Sequence, residues 1–166
     1  GSPSRCGDTA PKYLTSPMSV WFLIGKESRL EARCIYRRER RAITPTQSPL
    51  TFEYVFASEE YCEYVNTQFN DVFGFFISGP GFVGNQNIAV LPAGAGPVSI
   101  NNVNHLTNSG AYVHNTGPSG NNCGGIPPSN SPAVNELQFD GYTRRMGALA
   151  NVIPCQTYHI QLKVAD

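Results

Sequence analysis

With 166 residues, the chain is long enough for one domain with a sizeable core. Charged residues make up only 14%, while glycine (16), proline (13), phenylalanine (9) and tyrosine (8) are plentiful, the composition of an all-β, secreted type of protein. Formal net charge is zero, and five cysteines (Cys6, Cys34, Cys62, Cys123, Cys155) without a CxxC pair or a Cys/His cluster argue against zinc or a thioredoxin-type site.

Residues 1–17 are polar and broken by proline. Val20 to Ile24 reads as one buried strand ended by Gly25, too short to cross a membrane. The chain opens GSPSRCGDT, with no long apolar run behind a basic start, so no signal peptide is visible. Charge is unevenly placed: residues 1–50 carry nine Lys/Arg against four Asp/Glu, and residues 51–166 carry three against eight. Most of the basic excess sits in KESRLEARCIYRRERRAITPTQ, with weak apolar periodicity at Leu30, Cys34 and Ile35. That stretch reads as a solvated helix or a disordered basic run, with a nucleic-acid or acidic-surface patch the less favoured reading.

Leu50 to Gly81 is the most informative stretch. Phe52, Tyr54 and Phe56 alternate with Thr51, Glu53 and Val55, which predicts a strand with one wholly aromatic face. Val72 to Ile77 is a second apolar run, dense in Phe and apolar on both faces, as expected of a central strand. If the two runs pair antiparallel, their ends bring Glu59, Glu60, Asn70 and Asp71 to one edge, with Asp166 a more distant contributor. Ser58 is placed to cap a short helical turn over SEEYCEYV (residues 58–65), with both glutamates in its first turn. Oxygen ligands converging without a Lys or Arg predict a hard cation, most plausibly calcium. The plainer reading is that the glutamates solvate a loop. A carboxylate pair, Glu59 or Glu60 with Asp71, is the one arrangement here that would suit glycoside hydrolysis.

Ser78 to Gln86 is a glycine-rich turn, without the Lys-Ser/Thr and helix of a phosphate loop. Short strands are expected over Asn87–Leu91 and Pro97–Ile100. Residues 104–135 form a long, apolar-poor stretch in which Tyr112, His114, Asn115, Asn121 and Asn122 could line a sugar-binding surface; a solvated excursion tethered by Cys123 is the commoner outcome. ELQFDGYT has the rhythm of a strand ending in an Asp-Gly turn. Ala148 to Val152 resumes apolar character. Thr157 to Val164 alternates, with Tyr158, Ile160, Leu162 and Val164 on one face and His159 an outward strand residue. No HExxH, GxSxG, Walker loop or GxGxxG opening a helix occurs.

The segment FEYVFASEEYCEYVNTQFNDVFGFFISGPG resembles the signature of the choice-of-anchor L domain, an extracellular module of large bacterial surface proteins, including Bacteroidetes proteins associated with gliding-motility-type secretion. NIAVLPAGAGPVSINNVN, GNNCGG, ELQFDGYT and NVIPCQTYHIQLKVAD agree with it in order, so the resemblance runs from about Leu50 to Asp166. The chain departs from the family between about Gly25 and Thr46, where the family leads one to expect an apolar strand. Similar members continue past Asp166, so the domain is expected to do the same. The resemblance makes Cys123–Cys155 the first expectation for a disulfide, with Cys62 a competing partner for either.

The combined reading is an all-β sandwich of jelly-roll type with one short helix near residues 58–65. Residues 1–49 are expected to be an atypical, partly disordered segment with one candidate strand, and residues 50–166 the domain. The resemblance implies a non-catalytic extracellular module at the bacterial cell surface, serving adhesion or display. Calcium is the expected cofactor, at Glu59, Glu60, Asn70, Asp71 and Asp166. The expected partners are surface glycans or other surface proteins, met at Tyr112, Asn121 and Asn122, with neither nucleic-acid binding nor membrane insertion. The alternatives are a carbohydrate-binding module and a glycoside hydrolase.

Overall fold

The computed structural model describes residues 18–19, 37–115, 131, 137 and 139–165. In chain order the strands are β1 (Met18–Ser19), β2 (Arg37–Ile43), β3 (Leu50–Tyr54), β4 (Ala57–Ser58), β5 (Val72–Ser78) and β6 (Gln86–Asn87). They continue with β7 (Val98–Ser99), β8 (Tyr112–His114), β9 (Gly141–Thr143), β10 (Met146–Ala150) and β11 (Tyr158–Ala165). Helical structure among the described residues is limited to two 3-10 turns, Pro92–Gly94 and Ser109–Ala111. The protein is all-β.

One layer has the order β2-β11-β5, with β6 and β7 sharing the far edge of β5. β11 is its spine, antiparallel to β2 on one side (Tyr158 opposite Ile43) and to β5 on the other (Ile160 opposite Ile77). The second layer is built from β1-β3-β10 and β4-β9-β8. These two sheets are stitched end to end: Thr143 N–H donates to Phe56 O (2.7 Å) and Phe56 N–H to Thr143 Oγ1 (3.0 Å). A fully buried threonine hydroxyl thus satisfies the amide that the β3–β4 break would otherwise orphan.

The core lies between the layers. The aromatic face expected from the alternation is real: Phe52, Tyr54 and Phe56 are all buried. Their layer meets Phe73, Phe75 and Ile77 of β5, with Phe52 edge-on to Phe75 at 4.5 Å and Tyr54 tilted against Phe73 at 5.1 Å. Tyr158, Ile160 and Leu162 complete that face, as the alternation of β11 implied. Each such ring or aliphatic side chain contributes about 1.5–3 kcal/mol on leaving water. The two apolar runs of the signature therefore pack face to face across the sandwich and do not pair as neighbours in one sheet.

Three sequence expectations need correcting. The basic run ends in a strand: RRERRAI is β2, paired along β11, so the sheet begins before residue 50. Its apolar content was too low to signal a strand; the pairing is supplied by the backbone of β11. Residues 58–65 form successive turns and no helix. Tyr64 N–H reaches Glu60 O (3.3 Å), but Cys62 (φ 80°) and Asn66 (φ 62°) sit in the left-handed region, which ends helical propagation. Gly141 opens β9 instead of closing a turn, and a Cβ there would stand 2.6 Å from the Tyr112 ring, so the pairing leaves room for glycine alone. The Val20–Ile24 strand lies outside the described residues.

Candidate functional site

Thirteen residues, Glu59 to Asp71, separate β4 from β5. They form the acidic and aromatic connection that the sequence singled out, and its geometry is set by anchors at both ends. Tyr61 turns into the core, fully buried, with its ring 4.8 Å from Tyr112 and 6.2 Å from Phe56. Burial, then Tyr112 and Asp71, holds its phenol far above the usual tyrosine range. At the other end Asp71 is buried, and its Oδ2 accepts the Ser58 hydroxyl at 2.6 Å. Ser58 Oγ in turn accepts Glu60 N–H at 2.9 Å, a local turn bond where a helix cap was expected. The convergence of β4 and β5 ends is thus realised, through packing of two layers.

Between these anchors the tip is clamped by Asn101. Asn66 N–H donates to Asn101 Oδ1 (2.6 Å), Asn101 Nδ2 donates to Thr67 O (3.3 Å), and Asn101 N–H donates to Asn70 Oδ1 (3.1 Å). The Thr67 hydroxyl closes the turn on Tyr64 O at 2.7 Å and accepts Phe69 N–H at 3.2 Å. Held this way, Tyr64 and Phe69 face solvent, 39% and 44% exposed, with rings 5.3 Å apart and nearly perpendicular.

Beside the loop, Asp140 precedes β9. Its carboxyl is pushed up to about 6, first by burial and then by the charges of Glu63 and Glu59. Burial likewise raises Glu59. His114, on β8, lies with Nδ1 3.2 Å from the Tyr112 hydroxyl and 3.7 Å from Cys62 Sγ. Burial, then His105, lowers its pKa.

The expected metal ligands are distributed as follows. Glu60 and Asp71 are buried, Glu59 is half-buried, Asn70 spends its Oδ1 on Asn101, and Asp166 lies outside the described residues. Among the described residues no three His, Cys, Asp or Glu side chains form a group that could hold a metal ion. Glu60 and Asp71, at 5% and 7% exposure, are also not open to a polysaccharide in the way a hydrolytic pair must be.

The expected sugar surface is corrected at Tyr112. Tyr112 is a core residue of β8, its ring tilted against that of Tyr61, because the stretch read as one loop contains a 3-10 turn and a strand. Asn115 is buried, with Nδ2 donating to Leu137 O and Phe139 O. Asn121, Asn122 and Cys123 lie outside the described residues, so the Cys123–Cys155 pairing does as well. Sequence reading passed over Tyr64, Phe69, Glu63, Asp140 and Asn101. The unusual length of the β4–β5 connection was the signal available for the first three; the others are brought in by tertiary contact.

Two layers of mostly antiparallel strands, with β1 parallel to β3, carrying a long, clamped, acidic and aromatic loop define an all-β sandwich module. A family model for the choice-of-anchor L domain matches residues 42–166, and the chain belongs to that family. The match reaches back to Ala42 in β2, consistent with that strand being part of the sheet. No curated protein and no solved structure matches the chain. The family is one of surface-associated modules and not a catalytic one. No helix of the described residues is long and apolar enough to cross a membrane.

Proposed function

We propose that the chain is a non-catalytic, extracellular module of a bacterial cell-surface protein, serving adhesion or display. Membership of the choice-of-anchor L family over residues 42–166 carries this reading. The fold supports it: the sandwich commits Phe52, Tyr54, Phe56 and Tyr61 to the core and presents the Glu59–Asp71 loop at its edge. Protease shaving of intact cells producing the full-length protein tests it. Release of peptides from this domain by external protease is the expected result, and full protection in cells that are permeabilised only afterwards overturns it.

Calcium stabilisation of the same edge is a separate proposal, motivated by the carboxylates of Glu59, Glu60 and Asp71. A melting temperature that rises in millimolar calcium, with the rise lost in Glu60→Gln, would support it. Identical melting in calcium and in chelator would leave the edge held by Tyr61, Ser58 and Asn101 alone.

A further inference from the structure

We propose that the Tyr64–Phe69 corner of the Glu59–Asp71 loop is a binding site for a neutral, hydroxyl-rich glycan, with a sugar ring seated on the exposed aromatic faces. The proposal rests on the surface-module reading and names the ligand class of that module.

Single exposed apolar side chains are common and mean little. This pair differs in three respects. The rings touch each other at 5.3 Å and 77°, forming an L-shaped corner rather than two isolated side chains. They sit on a connection of thirteen residues, where a direct β4–β5 link needs far fewer, and connections of that length in compact domains are usually functional. The corner is also pre-formed: the Asn101 clamp and the Thr67 hydroxyl fix the backbone between the two rings, so little ordering entropy remains to be lost on binding.

The chemistry around the rings selects the ligand class. Asn66, Thr67 and Gln68 lie between them in sequence and are exposed. The side chains of Asn66 and Gln68 make no hydrogen bond among the described residues, so their amides are available as paired donors and acceptors. Aromatic faces plus amides match the alternating C–H faces and hydroxyl edges of a pyranose. The segment 59–71 holds no Lys or Arg, which disfavours phosphates and nucleic acid. An aliphatic protein partner would find amides where it needs apolar surface. A cationic peptide would be drawn by the acidic neighbours more than by the rings, and the experiment separates that case.

The test uses the purified chain in depletion binding to cellulose, chitin, xylan and mannan, with a poly-lysine surface as the cationic probe. The expected result is saturable binding to at least one polysaccharide, weakened about tenfold or more in both Tyr64→Ala and Phe69→Ala, as for loss of a central aromatic anchor. Leu149→Ala, which removes a still more exposed apolar side chain on β10, leaves binding unchanged. Circular dichroism melts check that the variants are folded. Absence of binding to every polysaccharide, binding that the two variants do not alter, or retention on poly-lysine alone overturns the site. Cell-surface shaving is indifferent to these variants, so failure of the glycan site and failure of the surface-module reading are told apart.

Discussion

Ser58 joins three segments with one hydroxyl. It donates to Asp71 and accepts from Glu60 N–H while fully buried, so truncation leaves a buried amide without that acceptor and removes a donor from the carboxylate. Ser58→Ala should cost about 1–3 kcal/mol. An unchanged urea midpoint would show that the pair is dispensable. Asn104 plays a similar part in the following turn. Its Nδ2 donates to Ile100 O (2.7 Å) and Asn101 O (3.2 Å), and its Oδ1 accepts from Leu106 and Thr107 (both 2.8 Å). Gly141 is constrained differently: a methyl group would displace the ring of Tyr112 and, through it, Tyr61. Gly141→Ala is expected to lower the melting temperature and to perturb Tyr112 and His114 resonances before those of β11. Unperturbed resonances would mean the ring yields freely.

At the scale of elements, the β4–β5 loop is held by a neighbour outside itself. Asn101→Ala removes the clamp's side-chain bonds to Asn66 and Thr67 yet touches no core residue. Amide exchange at Asn66 should therefore accelerate while β5 and β11 stay protected; acceleration spread over the whole sheet would show the clamp to be part of the cooperative core. The disulfide question belongs to this scale as well. Cys62 lies against His114, at the strand that leads into the segment bearing Cys123, whereas Cys155 lies beside Pro45 near the start of β11. Cys123, the first-expected partner of Cys155, lies outside the described residues. Non-reducing peptide mapping decides the pairing: a Cys123–Cys155 peptide is the expected product, and recovery of Cys123 as a free thiol would overturn it.

For the whole molecule, the acidic edge gives a pH signature. Asp140 is raised from 3.8 to about 6 in the fold, and Glu59 shifts in the same direction. The native state therefore holds a proton that the unfolded chain has already released. This contribution to stability is fully present below about pH 4 and is lost as pH rises through about 6. Asp140→Asn should thus match the parent near pH 4 and exceed it near pH 7. Because Asp140 is only partly buried, water screens the interaction and the gain should be modest. Urea midpoints across pH 4–7 that run parallel for the two proteins would eliminate Asp140 as the source.

Much of the core was legible in the sequence because a strand's side chains alternate with a strict period of two. Phe52-Tyr54-Phe56 and Tyr158-Ile160-Leu162 each declared a buried face by that rhythm alone, and both are buried. The signature from Phe52 to Gly81 also identified the family, since long motifs of aromatic and acidic residues are specific. Pairing partners were not legible. Backbone hydrogen bonds look the same whatever the side chains, so nothing in RRERRAI announces β11 as its partner, and nothing in TFEYVF says that it faces β5 across the core. Burial of polar groups was equally hidden. Asp71 and Glu60 read as ligands because carboxylates usually seek water or metal, and only the three-dimensional packing turned Asp71 onto Ser58. The same packing drew Tyr112 into the core and left Tyr64 and Phe69 outside it, since Asn101, thirty-odd residues away, fixes the loop that carries them.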